Sequence, residues 1–330
     1  MIQLAELFEP GDTDKIRIAV QAGITHAIVR TAPLLAKVPR QEYLSTLRRV
    51  KDEMQAAGLV FAGVESHPVS AERVKLGLAG RDEEIENYIA VIRALGEVGV
   101  RTLCYNWMAG LGWYRTRVNI AERGGALVSG FDIDDARHEG LTEWGEIDEE
   151  TIWANLEYFL KAVLPVAEAA GVRMALHPDD PPVSPLRGIG RILTSAEAFR
   201  RVLGMHPGPA NGITFCQATF GLMGEDIGAL IREWCGLGRI YFVHLRDVTG
   251  TRERFRETFH DNGPTNLAAT LRLYHEAGFD GPLRPDHAPT MQGEANDRPG
   301  YAMKGKILAI GYMKGALDAN GIPYARGFSG

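Results

Sequence analysis

Cysteine is scarce: Cys104, Cys216 and Cys235 are the only three in 330 residues, too few and too irregularly spaced for a disulfide framework. Reduced thiols are therefore expected. Positive charge is not concentrated anywhere; 36 Lys and Arg are scattered among 42 Asp and Glu, giving a formal net charge of -6. That balance lacks the basic stripe that would engage nucleic acid and favours a small-molecule substrate. No run approaches the roughly 18 apolar residues of a membrane span. The first ten residues, Met1 to Pro10, lack a basic segment followed by an apolar stretch. The expectation is a soluble, cytoplasmic protein with no membrane partner.

What is present is enough apolar residue, 45% of the chain, for one large core. Short β-branched runs alternate with longer amphipathic ones, as in βα units around a parallel sheet. Strands are expected at Gln3 to Phe8, Thr25 to Arg30, Val60 to Glu65, Thr102 to Trp107, Arg173 to His177, Gly212 to Cys216, Ile240 to His244 and Pro282 to Asp286. Helices fill the intervals, several stopping at a glycine suited to a left-handed cap. The phrase recurs as Ala22-Gly23-Ile24, Ala57-Gly58-Leu59, Val98-Gly99-Val100, Ala170-Gly171-Val172 and Ala277-Gly278-Phe279. Eight such units predict a (β/α)8 TIM barrel of α/β class, one domain over residues 1–330. Two segments, 108–148 and 248–264, exceed ordinary loops; both follow strands, so both are expected at the barrel end where active sites are built.

Four potential metal ligands close four consecutive predicted strands: His177, Cys216, His244 and Asp286. A lone His at a strand end is usually a structural residue, and a lone Cys is commonly a small core hydrophobe. The joint pattern is the signal, because strand ends of a parallel barrel converge on one mouth. Two imidazoles, a thiolate and a carboxylate suit Zn2+, Fe2+ or Co2+ on softness. Cys104, in mid-strand, and Cys235, at a helix end, are assigned to packing.

The motifs Tyr105-Asn106-Trp107-Met108, Gly112-Trp113-Tyr114-Arg115-Thr116, His177-Pro178-Asp179-Asp180-Pro181-Pro182, Arg284-Pro285-Asp286-His287 and Arg298-Pro299-Gly300-Tyr301 resemble the mannonate dehydratase family. The resemblance implies a xylose isomerase-like barrel that dehydrates D-mannonate to 2-keto-3-deoxy-D-gluconate with one divalent ion, typically Mn2+. It also implies His177, Cys216, His244 and Asp286 as ligands, with His287 and Tyr301 as the acid-base pair. The chain departs from the family where Gly112 and Tyr114 replace an acidic residue and a threonine, and where Gln217 to Gly221 follow Cys216.

Dehydrating a sugar acid removes a proton from C2 and a hydroxyl from C3, so cationic groups are needed for the developing enediolate. Arg284 is a candidate for that role. Arg115 and Arg246 are expected to grip a carboxylate, and Asn106, Glu65 and Arg30 end strands where they could meet hydroxyls. The bland readings are that His287 merely supports Asp286, that Tyr301 packs at a helix start, that Arg298 pairs with Glu294 or Asp297 on a solvated loop, and that His260 is a surface histidine. Two other functions share the same residues. One is a sugar isomerase, epimerase or other lyase, suggested by Gly112 and Tyr114; the other is a silent barrel that senses a metal or sugar acid. Aromatics in residues 108–148 could close a neighbour's site, which leaves a homo-oligomer open.

Overall fold

A computed structural model describes residues 1–326. Its strands are β1 (Gln3–Phe8), β2 (His26–Val29), β3 (Val60–Glu65), β4 (Thr102–Asn106), β5 (Arg117–Ala121), β6 (Leu127–Asp132), β7 (Arg173–His177), β8 (Asn211–Cys216), β9 (Ile240–Leu245), β10 (Val248–Thr251), β11 (Arg254–Glu257) and β12 (Pro282–Pro285). Eight of them close into a parallel barrel in the order β1-β12-β9-β8-β7-β4-β3-β2. All eight expected strands are found, with ends shifted by a residue or less. The intervening helices follow the expected intervals too: Glu149–Ala170, for example, ends at Gly171, which takes the left-handed conformation that terminates a helix.

Two layers of apolar packing hold the barrel. Ala5, Leu7, Ile28, Cys104, Ala175, Tyr241 and Phe242 form one buried cluster. A far larger cluster joins the outward strand positions to the helices, including Leu4, Phe8, Val64, Leu103, Leu176, Phe215 and Val243. Strand alternation explains the division, because Leu176 faces the helices while Ala175 and His177 face the opposite way.

The segments 108–148 and 248–264 do more than loop. They supply β5, β6, β10 and β11, which join in one four-stranded antiparallel sheet of order β10-β11-β6-β5. Phe255 of β11 pairs in register with Phe131 of β6, and the two rings pack with Val183, Leu186, Ala218, Leu222 and Val248 in a separate apolar cluster. That cluster fixes the small sheet to the barrel mouth.

The end of the second segment is also anchored to the barrel. His260 is buried rather than on the surface, and its Nε2–H donates to the Leu245 carbonyl at 2.8 Å. Burial without an ion-pair partner lowers its pKa from 6.5 to about 4, with nearby Lys306 adding to the effect. Between those values the unfolded chain binds a proton that the native state does not, so stability rises with pH across the window. The contribution is complete above pH 6.5 and lost below about pH 4. Replacing His260 with Gln is expected to remove about 3 kcal/mol of the pH-dependence of urea unfolding between pH 4 and 6.5. Parallel pH curves for the two proteins would show that His260 is not buried neutral.

Candidate metal centre and active site

Register brings the site together. Asn106 stands beside His177 across β4 and β7, Cys216 beside His244 across β8 and β9, and Arg284 beside His244 across β9 and β12. His177, Cys216 and His244 consequently place donor atoms all within 4.8 Å of one another, and all three residues are buried. The His177 ring is oriented by a 2.7 Å hydrogen bond from Nδ1–H to the Pro178 carbonyl, which leaves Nε2 as the lone-pair donor.

Two observations test whether these residues fit a metal. First, both ring nitrogens of His244 are buried without a hydrogen-bond partner, although Glu65 Oε2 lies 3.2 Å from Nε2, off the line of a hydrogen bond. Orphaned imidazole nitrogens are costly unless something is to be bound. Second, Asp286 Oδ2 lies 3.8 Å from His244 Nδ1, close to the roughly 3.4 Å that separates two donors on one tetrahedral ion. The residues fit a divalent ion. Asp286 nevertheless falls outside the three-residue donor cluster, and its two oxygens accept from Arg246 Nε (2.7 Å) and Arg284 (2.9 Å). A carboxylate has lone pairs to spare beyond two hydrogen bonds.

Electrostatics favour the ionised donors. Burial alone would raise the Cys216 thiol, but Arg246 and His177 beside it hold it well below its ordinary value. His177 is itself pushed up to about 9: burial opposes its charge, and the Cys216 sulfur outweighs that penalty.

The acid-base candidates share the same mouth. His287 Nδ1 lies 3.0 Å from Glu257 Oε1, and its Nε2 lies 3.3 Å from the Tyr301 hydroxyl. An ionised carboxylate accepts, so Nδ1 carries the hydrogen and Nε2 receives the Tyr301 O–H. Burial would raise the Glu257 carboxyl, but Arg246, His287 and Arg115 bring it down to about 2. Tyr301 is pushed above its ordinary value by burial and by Asp286, so its hydroxyl stays protonated. Gly300, at φ +87°, lets its loop lie flat against His287; a Cβ there would stand 3.0 Å from the imidazole. Trp113 covers the other side, its ring centroid 4.9 Å from that of His287.

Glu257 was not among the residues expected to act. It belongs to the charged segment 248–264, expected at the barrel mouth without any residue singled out to act but His260; β11 alternates, so Phe255 and Glu257 face inward while Arg254 and Arg256 face solvent. That alternation was the available signal.

The three arginines expected to meet substrate have partners within the chain. Arg115 is buried and forks onto Asp180 at 2.7 and 2.8 Å while also donating to Glu257. Arg246 is fully buried and bridges Asp286, Glu257 and Asp180. Arg284 holds Glu65 through two nitrogens, at 2.7 and 2.5 Å, and Asp286 through one. These guanidiniums are engaged by the protein's own carboxylates. Asn106 does line the cavity, its Oδ1 accepting from the Met108 amide and Lys75. Cys104, read as packing, also reaches the cavity wall, with its thiol pushed above its ordinary value chiefly by burial.

Arg298 pairs with Glu9 instead of Glu294 or Asp297. Of the family departures, Gln217 to Gly221 touches the site, because the Thr219 hydroxyl donates to Cys216 Sγ at 3.1 Å and accepts from Arg246, whereas Gly112 and Tyr114 lie outside the cavity lining. Tyr114 packs against Phe131 in the small sheet's cluster, and a side chain at Gly112 would meet nothing within 4 Å. The cavity itself measures about 320 Å3 and is lined by His177, His244, Asp286, His287 and Tyr301 among others.

Sequence and structure comparisons agree on relatives. The D-mannonate dehydratase (UxuA) family profile matches residues 1–143 and 132–322. Mannonate dehydratase 2 of Halalkalibacterium halodurans is 34% identical, across 94% of this chain and 97% of the relative. Mannonate dehydratase of Streptococcus agalactiae is 36% identical, across 83% and 85%. Among solved structures, mannonate dehydratase from Streptococcus suis serotype 2 superposes with a TM-score of 0.89 at 29% identity, covering 100% of this chain and 99% of that one. A D-allulose 3-epimerase from Methylomonas sp. shares the fold at 12% identity and a TM-score of 0.62.

Replacing Cys216 with Ser or His177 with Asn is expected to lower affinity for a divalent ion by at least roughly 100-fold, read by elemental analysis and competition with a chelator. Unchanged metal content in both variants would remove these residues from the ligand set.

Proposed function

Because the chain belongs to the mannonate dehydratase family, we propose that it is a hydro-lyase that converts D-mannonate to 2-keto-3-deoxy-D-gluconate. The single observation that carries the reading is the hydrogen-bonded His287–Tyr301 pair, 3.3 Å apart, in the same cavity as the three-donor cluster. An acid and a base held at one point beside a cation site are what an elimination of water needs.

One divalent ion would be held by His177, Cys216 and His244 with Asp286 as fourth ligand. When bound, it supplies Lewis-acid stabilisation of charge on substrate oxygens. Mn2+ is the proposed ion on family grounds, while the thiolate donor also suits Fe2+, Co2+ or Zn2+. The protein is proposed to act in the cytoplasm.

The remaining work falls to side chains. Glu257 fixes the His287 tautomer, so Nε2 carries the lone pair that takes the C2 proton once the Tyr301 O–H has turned from it to the substrate. Tyr301, kept protonated by burial, delivers its hydroxyl proton to the departing C3 oxygen. The C2–H electron pair becomes the C2=C3 double bond as the C3–O bond breaks and water leaves. The resulting enol then gains a proton at C3 to give the 2-keto acid. Trp113 screens the imidazole from water, which strengthens the hydrogen bonds beneath it.

The isomerase or epimerase alternative rested on Gly112 and Tyr114, and neither position lines the cavity. Mn2+-loaded protein is expected to form an α-keto acid from D-mannonate, and His287→Asn to reduce kcat by about 10²- to 10⁴-fold with metal content retained. No product with any of Mn2+, Fe2+, Co2+ or Zn2+ would overturn the assignment. Glu257→Gln is expected to lower kcat by about 10-fold or more with little change in KM, because it loosens the imidazole without touching substrate.

A further inference from the structure

With Arg115, Arg246 and Arg284 committed to internal carboxylates, an anionic substrate must be recognised by other groups. Two further guanidiniums line the cavity beside His287 and Tyr301 and share one carboxylate between them: Arg30, which follows β2, and Arg298, on the turn that carries Tyr301. Their side chains are 29% and 44% exposed, against 0 to 1% for the three buried arginines. Both donate to the same atom, Glu9 Oε1, at 3.3 and 2.5 Å. Two positive charges thus meet on one negative charge. Arg30 Nε has no hydrogen-bond partner at all, and its guanidinium stands 5.8 Å from the centre of the Tyr301 ring.

Adjacent like charges over a single counter-ion form a surplus that a second carboxylate relieves. The deep end of the cavity has the opposite polarity, with three guanidiniums facing the carboxylates of Glu65, Asp180, Glu257 and Asp286. Every guanidinium there is already paired, so an incoming carboxylate finds the unbalanced positive charge at the rim. We propose that Arg30 and Arg298, bridged by Glu9, bind the carboxylate of the sugar acid and so select anionic substrates. The inference rests on the sugar-acid reading and deepens it. Glu9 holds the two arginines together and also competes with the substrate for them, so its removal acts in the opposite sense from theirs.

Steady-state kinetics of metal-loaded protein tests this with D-mannonate, alongside calorimetric binding of D-mannonate, D-gluconate and D-galactonate. Arg30→Gln and Arg298→Gln are each expected to raise KM for D-mannonate at least tenfold, with kcat within about threefold of wild type. Glu9→Gln is expected to lower KM, an outcome that damage to the fold would not produce. Added salt should raise KM of the wild type more steeply than that of the double arginine variant. Wild-type turnover of D-mannonate with KM unmoved in both arginine variants overturns this inference and leaves the dehydratase reading intact. Binding of sugar acids that weakens in the arginine variants, without turnover, sustains the inference and overturns the dehydratase. A wild type that neither binds nor converts any of the three acids overturns both.

Discussion

Everything at the mouth of this barrel depends on a buried lattice of guanidinium–carboxylate contacts. Arg246 is its centre: one side chain joins Asp286 of the barrel rim, Asp180 of the loop after β7 and Glu257 of the small sheet. Arg115 repeats the link between Asp180 and Glu257, and Arg284 ties Asp286 to Glu65 on the far side. Such a lattice adds little to net stability, because the cost of desolvating each charge offsets much of the attraction. Its effect is geometric. Removing one partner strands a buried charge at about 3 to 5 kcal/mol, so the small sheet has one seat on the barrel.

That seat has a chemical consequence. Glu257 is fixed by two arginines before it meets His287, which means that the imidazole is oriented by a carboxylate unable to turn away. The orientation reaches Tyr301 through Nε2, and Gly300 allows the chain carrying Tyr301 to approach closely enough. Preorganisation of this kind needs rigid supports on both sides of the reacting groups. The barrel supplies one through β12, and the sheet made from residues 108–148 and 248–264 supplies the other.

How much of this was legible in the sequence follows from where each residue's partners lie. The eight strands were readable because each carries an apolar run and several of the helices before them end in glycine. His177, Cys216, His244 and Asp286 were readable as strand ends, since a parallel barrel gathers such positions whatever the loops do. The small sheet was not. Its strands are four to six residues long, β5 is largely exposed, and β10 and β11 sit among charges that read as a solvated turn. The arginine partners were hidden for a related reason: a sequence shows that Arg115 and Arg246 are near the mouth but not that Asp180 and Glu257 arrive from distant segments to pair with them. The placement of Tyr114 was not legible either: Trp113 beside it lines the cavity while Tyr114 packs against Phe131.

The polarity of the cavity follows from the same lattice. The four deep carboxylates keep their negative charge because buried guanidiniums hold Glu65, Asp180 and Asp286 well below the usual carboxylate range, with Glu257 at about 2. Cys216 adds a sulfur held in its thiolate form, balanced by the proton on His177. A divalent cation held there would take the place of that proton and offset the surplus negative charge. Toward the rim the sign reverses, where Arg30 and Arg298 outnumber Glu9. His287 and Tyr301 line the same cavity as both groups of charges.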